Sequence, residues 1–145
     1  MRRKDSHSHE EVSNQVEAKV KNTPWGNDLY RYLHELSAII KPKCVVLFGS
    51  TARGDWDAYS DIDVLIVSDD LPDNFFKSLT ILYKPRRGRV QPFGYTTAKV
   101  EEMIVNGNSF IINALKGAIP IIGEEYYNKL RTLLQNISRE GPLAL

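Results

Sequence analysis

The stretch FGSTARGDWDAYSDIDVLIV, residues 48–67, decides the fold expected for this chain. It places a Gly-Ser step directly after the apolar run CVVLF (44–48), and it places Asp61 and Asp63 at the start of a second apolar run. Acidic residues are poor strand formers, and two neighbouring carboxylates repel each other unless a positive charge lies between them. The stretch therefore indicates a site in which a positive charge stabilises the acidic pair at the beginning of a strand.

The spacing of the two aspartates favours a cation site. Side chains alternate along a strand, so Asp61 and Asp63 are expected on the same face, about 6–7 Å apart. Mg²⁺ takes oxygen ligands at ~2.0–2.1 Å and is commonly held by one or two carboxylates together with substrate phosphates. The sequence therefore predicts that Asp61 and Asp63 bind Mg²⁺, which would also remove the repulsion between them.

The Gly-Ser corner favours an anion beside that cation. Gly49 lets the backbone approach a ligand closely, and Ser50 is expected to cap the short helical turn that follows. The amides of this turn, the Ser50 hydroxyl and the Arg53 guanidinium together predict a phosphate-binding site. A metal-bound nucleoside triphosphate is a ligand that uses both halves of the stretch.

Length and composition indicate one ordinary globular domain. The chain has 145 residues, of which 42% are hydrophobic and 26% are charged, and its net charge is +1. The single cysteine, Cys44, excludes an internal disulfide and favours a reducing, cytoplasmic compartment. No apolar run approaches the ~18 residues that a membrane span needs, and no hydrophobic stretch typical of a signal peptide follows the charged N-terminus.

Charged residues are distributed unevenly along the sequence. Residues 54–73 contain seven aspartates and neither lysine nor arginine, whereas four of the six residues in KPRRGR (84–89) are basic. The two patches suit a cation and a phosphate-bearing ligand, but two solvated loops would explain them as well. A nucleic-acid surface at KPRRGR stays open as a further alternative, although the near-neutral net charge speaks against it.

Hydrophobic periodicity predicts the remaining elements. Residues 1–23 are expected to form a polar tail with a short helix, residues 24–140 a single domain, and residues 141–145 a C-terminal tail. Pro92 argues for an edge position of the strand expected over 88–95. The predicted class is α/β (α+β), with a small mixed β-sheet and helices packed mainly on one face.

The opening stretch resembles the signature of the DNA polymerase β-type nucleotidyltransferase superfamily. The matching residues are Leu47-Phe48-Gly49-Ser50, Ala52-Arg53-Gly54 and Ser60-Asp61-Ile62-Asp63. This G-S-x10-D-x-D pattern is most similar to that of the minimal nucleotidyltransferases (MNT proteins) of prokaryotes. The resemblance implies a nucleotidyltransferase fold and Mg²⁺-dependent transfer of a nucleoside monophosphate from an NTP. It also implies that Gly49, Ser50 and Arg53 bind the phosphates, and that Asp61 and Asp63 are the catalytic metal ligands.

One position departs from the family pattern. Family members carry a third carboxylate on a later strand, and the frame VQPFGYTTAKVEEM (90–103) places Gln91 there. A glutamine can coordinate a cation through its carbonyl oxygen but cannot act as a general base, so one ion is expected in preference to two. Asp55 and Asp57 are alternative sources of the missing acid.

Two functions therefore stay open. The first is an active nucleotidyltransferase that modifies a hydroxyl of a partner protein, since the resemblance implies pairing of MNT proteins with small helical HEPN toxins and a role as antitoxin. The second is a non-catalytic regulator or antitoxin that binds Mg-NTP, which Gln91 favours. A homodimer is the alternative source of the acceptor site, because a chain of this length has no room for the further domains with which larger relatives hold acceptors.

Overall fold

Four strands form one mixed sheet in the computed structural model, which describes residues 9–20, 23–55 and 60–140. The strands are β1 (Cys44–Phe48), β2 (Ile62–Val67), β3 (Val90–Tyr95) and β4 (Ile119–Ile122). Their order in the sheet is β3-β2-β1-β4, with β1 antiparallel to both β2 and β4, and with β2 parallel to β3. The small mixed sheet and the α+β class expected from the sequence are confirmed.

Seven helices accompany the sheet in these described residues. They are α1 (His9–Val20), α2 (Gly26–Leu36), α3 (Gly49–Arg53), α4 (Phe75–Leu82), α5 (Thr97–Val105), α6 (Ser109–Leu115) and α7 (Glu124–Glu140). The side chains of Asn74, Thr96 and Asn108 cap α4, α5 and α6 by accepting a hydrogen bond from a backbone N–H of the first turn. None of the seven helices is long and apolar enough to cross a lipid bilayer.

The helices pack on both faces of the sheet, which corrects the expectation of helices mainly on one face. Alternate residues of β1 and β2, such as Val45 and Val64, join a core cluster with α1, α2 and α4. The residues between them, such as Val46 and Leu65, join a second cluster with α5, α6 and α7. Because strand side chains alternate between faces, a strand that is apolar at every position needs a covering layer on each side.

The first helix, α1, contributes directly to the first of these clusters. Val12, Val16 and Val20 follow each other at four-residue spacing and are at most 4% exposed. They pack with residues of α2 and of the sheet. Helix α1 is thus part of the same core as the domain expected over residues 24–140. The expected tails at 1–8 and 141–145 lie outside the described residues.

Strand β3 lies at one edge of the sheet, the position that Pro92 predicts. The Ile62 N–H donates to the Arg89 carbonyl (2.8 Å) and the Ser68 N–H donates to the Tyr95 carbonyl (3.0 Å), so the odd-numbered residues of this segment bond to β2. Pro92, an even-numbered residue, therefore turns its backbone nitrogen to the free edge. Its missing N–H costs the ladder no hydrogen bond.

Candidate active site

The turn after β1 brings the Gly-Ser corner next to the acidic pair. Strands β1 and β2 run antiparallel, and their register places Phe48 opposite Asp63. Gly49 consequently lies against the Asp63 side chain, and a Cβ built on Gly49 would stand 2.5 Å from Asp63 Oδ2. The φ angle of Gly49 is +75°, which L side chains rarely adopt. A side chain at this corner would displace the Asp63 carboxylate and would be strained at this φ, so both the close contact and the backbone conformation favour glycine.

Helix α3 is anchored to the start of β2. The Thr51 side chain is buried, and its hydroxyl donates to the Asp61 carbonyl (3.1 Å). At the end of the helix, the Asp55 N–H donates to the Ser50 carbonyl (2.9 Å). These bonds hold the short helix beside the strand that carries the acidic pair.

The structure corrects the capping role expected for Ser50. Helix α3 begins at Gly49, so Ser50 lies inside its first turn, and the preceding Phe48 occupies the cap position without a side-chain hydrogen bond. The Ser50 side chain is half-buried, and its hydroxyl makes no hydrogen bond to the described part of the chain. A hydroxyl in this position is available to a ligand bound beside Asp63.

The charged groups of the site act on one another. Partial burial raises the pKa of Asp63, the neighbouring Asp61 carboxylate raises it further, and the Arg53 guanidinium opposes both. Asp61 precedes β2 and is exposed, whereas Asp63 lies within the strand and is half-buried. A bound cation would relieve both the desolvation and the like-charge repulsion that act on Asp63.

Gln91 lies beside Asp63 on the adjacent strand. Strands β2 and β3 are parallel, and their register pairs Asp63 with Gln91. The Gln91 Nε2 amide donates to the Tyr83 hydroxyl (3.1 Å), and the Arg87 guanidinium stacks 4.0 Å from the centroid of the Tyr83 ring. The position at which the resemblance implies a third carboxylate is thus a neutral amide held by a tyrosine that the sequence did not single out.

The neighbouring acids do not replace that carboxylate in the described residues. Asp55 is exposed and its carboxylate accepts a hydrogen bond from Arg53 Nε (3.4 Å), while Asp57 lies outside the residues that the structure describes. Over residues 9–20, 23–55 and 60–140, no group of three or more histidine, cysteine, aspartate or glutamate side chains could hold a metal ion. Asp61, Asp63 and Gln91 therefore stay the predicted ligands of a single hard cation, whose remaining ligands would be phosphate and water oxygens.

A pocket of about 250 Å³ opens beside Gly49. It lies between the β1–α3 corner and helix α6, and its lining includes Phe48, Gly49, Arg53, Phe110, Asn113 and Lys116. No local sequence signal marks the three α6-side residues, because they reach the corner only through the packing of α6 against β1 in the second core cluster. The pocket therefore extends the site beyond the residues predicted from the sequence.

The basic segment 84–89 is largely engaged within the molecule. Arg86 donates through Nη2 (2.7 Å) and Nε (3.1 Å) to Glu35 Oε2, and its backbone N–H donates to Oε1 (2.9 Å). These hydrogen bonds lower the pKa of the Glu35 carboxyl. Since Arg87 stacks on Tyr83, at least two of the four cations of the segment serve intramolecular contacts. This arrangement weakens the nucleic-acid alternative.

Comparison with known proteins shows the family to which the chain belongs. A family model described as "Nucleotidyltransferase domain" matches residues 29–138. A protein of Methanocaldococcus jannaschii named "Putative protein adenylyltransferase" is 52% identical over 40 residues, which are 26% of this chain and 40% of that protein, so the match covers less than half of the relative's length. A crystal structure of a "putative nucleotidyltransferase from Sulfolobus solfataricus" aligns with a TM-score of 0.45 and 21% identity over 63% of this chain and 79% of that chain. Because the family model spans most of the sequence, the chain belongs to the nucleotidyltransferase domain family.

Proposed function

We propose that this chain transfers a nucleoside monophosphate from an NTP to a hydroxyl acceptor, with Mg²⁺ held by Asp61 and Asp63. The observation that carries the proposal is the contact of Gly49 with the Asp63 carboxylate, in a site where Asp61 and Arg53 also act on Asp63. It supports the proposal because the groups expected to bind phosphate lie directly beside those expected to bind a cation. A metal–triphosphate complex would find ligands for both of its parts there.

The side chains of the site would take separate roles. Gly49, Ser50 and Arg53 bind the β- and γ-phosphates and so hold the α-phosphorus in line with the acceptor hydroxyl. Asp61 and Asp63 orient the metal end of the complex; the ion, when bound, stabilises the negative charge that develops on the phosphates. The acceptor oxygen forms a bond to the α-phosphorus while the bond from that phosphorus to the bridging oxygen breaks, and pyrophosphate leaves.

Gln91 limits this reaction and supports a second candidate function. Its amide has no basic site, so the acceptor proton passes to solvent rather than to the protein. A positioned general base contributes a factor of ~10²–10⁴ to the rate, which Gln91 would forgo. A regulator that binds Mg-NTP without transferring it is therefore the alternative, and the hydrogen bond between Gln91 and Tyr83 is the observation that favours it.

We propose a hydroxyl on a partner protein as the acceptor. The Methanocaldococcus relative is named a protein adenylyltransferase, which concerns that protein alone but points to this acceptor class. The resemblance to minimal nucleotidyltransferases supports a HEPN-type toxin as the partner and an antitoxin role for this chain. A second copy of the chain is the alternative source of the acceptor hydroxyl.

Mass spectrometry of a candidate partner after incubation with Mg²⁺ and each NTP tests the proposal. We expect the partner to gain the mass of a nucleoside monophosphate, and we expect Asp61→Asn and Asp63→Asn to abolish that gain. Binding of Mg-ATP without a mass gain on the partner or on the chain itself would favour the regulator. Absence of nucleotide binding would refute both functions.

Substitution of Gln91 separates slow catalysis from an incorrect assignment of this position. Gln91→Asp should raise the transfer rate roughly 10²-fold or more, because the new carboxylate can accept the acceptor proton. Gln91→Asn is the matched control, since it has the length of aspartate without its charge and should give no increase. Equal rates for the two variants would show that Gln91 does not stand at the position of the third carboxylate.

A further inference from the structure

The pocket beside Gly49 has a positive lining. Arg53, which also pairs with the exposed Asp55 (3.4 Å), and Lys116 contribute cationic side chains to it, and none of its lining residues that the structure describes is acidic. In the part of the chain that the structure describes, Lys116 makes no ion pair, whereas Lys99 pairs with Glu102 (3.7 Å). A pocket whose described lining carries two cations and no carboxylate favours an anionic ligand.

The size of the pocket limits which part of a nucleotide it can hold. Its volume of about 250 Å³ lies below the ~300–1,000 Å³ typical of pockets that enclose a whole small-molecule ligand. Gly49 lines the pocket and also lies against the Asp63 side chain, so the pocket is adjacent to the acidic pair. A nucleotide bound at Asp61 and Asp63 would thus place in the pocket either its base or the far end of its phosphates.

The aromatic residues of the pocket contact one another. Phe110 packs edge-on against Phe48, with ring centroids 5.8 Å apart, and tilts against Phe93 at 5.1 Å. Phe48 also contacts Phe93 at 5.6 Å. These contacts use part of the surface of each ring, so we take the two cations of the lining, Arg53 and Lys116, as the groups that select the ligand.

We infer that Lys116 binds the terminal phosphate of the nucleotide and makes the site selective for triphosphates over diphosphates and monophosphates. The inference rests on the proposed function, because it takes the orientation of the nucleotide from Asp61 and Asp63. Lys116 follows the last residue of α6 and precedes Gly117, whose φ of +70° turns the chain away from the helix. Arg53 would hold the phosphate nearer to the carboxylates.

Calorimetric titration with ATP, ADP and AMP, each with excess Mg²⁺, tests the inference. The wild type should bind ATP more tightly than ADP. Lys116→Met should weaken ATP binding about 10- to 100-fold, the loss expected for one charge-assisted hydrogen bond, and should leave AMP binding unchanged. Lys116→Arg should keep most of the ATP affinity. Lys77→Met, which removes an exposed lysine of α4 outside the pocket, is the matched control and should bind all three ligands like the wild type.

The possible results distinguish this inference from the function on which it rests. If the wild type binds none of the three nucleotides, the proposed function fails and the inference fails with it. If the wild type binds ATP but Lys116→Met binds it equally well, only the inference fails. An equal loss of affinity for ATP, ADP and AMP in Lys116→Met would also overturn it, because AMP lacks the γ-phosphate that the inference assigns to Lys116.

Discussion

At Gly49 the backbone passes so close to Asp63 that an added methyl group would displace the carboxylate. Gly49→Ala is therefore expected to abolish binding of Mg-ATP, since the new Cβ would stand 2.5 Å from Asp63 Oδ2 at a φ of +75°. The left-handed conformation should also cost about 1–2 kcal/mol of stability. Calorimetry with Mg-ATP and urea unfolding measure the two effects.

Gly107→Ala provides a matched control for that substitution. Gly107 has a φ of +74°, but an added Cβ there would meet no atom within 4 Å. Its alanine variant should lose a similar amount of stability and keep its affinity for Mg-ATP. A Gly49→Ala variant that still binds Mg-ATP like the wild type would contradict the proposed site.

The raised pKa of Asp63 predicts a stability that depends on pH. The folded state binds the Asp63 proton more tightly than the unfolded state does, so the ionised carboxylate destabilises the ligand-free fold above its folded-state pKa. Asp63→Asn should then be more stable than the wild type at pH 7, and the difference should vanish as the pH falls below the ordinary pKa of ~3.9. Solvent screening limits the gain to below about 1 kcal/mol, or at most roughly 4 °C in Tm.

Thermal melts in EDTA, from pH 7 down to pH 3.5, measure this effect. Asp73→Asn is the control, because it changes the net charge equally but alters an exposed aspartate outside the site. A lower Tm for Asp63→Asn than for the wild type at pH 7 would show that Asp63 stabilises the ligand-free fold instead.

Among the elements, α1 provides a direct test of how the first core cluster is built. Val16 is fully buried between α1 and its neighbours, so Val16→Ala should destabilise the fold by about 2 kcal/mol through lost apolar burial and a small cavity. Asn14→Ala, on the exposed side of the same helix, should change stability by less than about 0.5 kcal/mol. Equal urea midpoints for the two variants would mean that α1 does not pack against the domain.

Most elements could be predicted from the sequence because their hydrophobic periods are long and regular. The four-residue spacing of Val12, Val16 and Val20 marks α1, and the run CVVLF marks β1. Helix starts were less accessible, since several nearby polar residues can compete for the capping position, as at α4, which Asn74 caps. The second helical layer was also missed, although a strand without alternation already implies burial on both faces.

The site was predictable only where its residues are close in sequence. Gly49, Ser50 and Asp63 belong to one stretch, and the antiparallel turn between β1 and β2 brings them together. Tyr83 and Lys116 join the site through tertiary packing of α4 and α6, for which the sequence has no local signal. Periodicity identifies which face of a helix is buried, but not which polar end of that helix reaches a distant turn.

For the molecule as a whole, ligand binding should appear as thermal stabilisation. Mg-ATP at about 100 times its Kd stabilises a protein that binds it only when folded by about 2.7 kcal/mol, which corresponds to roughly 5–10 °C in Tm for a domain of this length. EDTA in excess of Mg²⁺ should remove most of this shift, and Asp61→Asn should abolish it. An unchanged shift in EDTA would show that the nucleotide binds without a metal ion.

The proline on the outer strand also bears on how copies of this molecule meet. An intruding strand that extended the sheet beyond β3 would find a donor missing at Pro92 and a pyrrolidine ring in its path. Fibril growth and strand exchange both begin when a strand forms backbone hydrogen bonds to an exposed sheet edge. Pro92 disfavours both processes at the β3 edge. A second copy of the chain that offers its hydroxyl for modification would consequently have to approach by a surface other than this edge, and crowding in a cell would not convert that approach into an irreversible aggregate along β3.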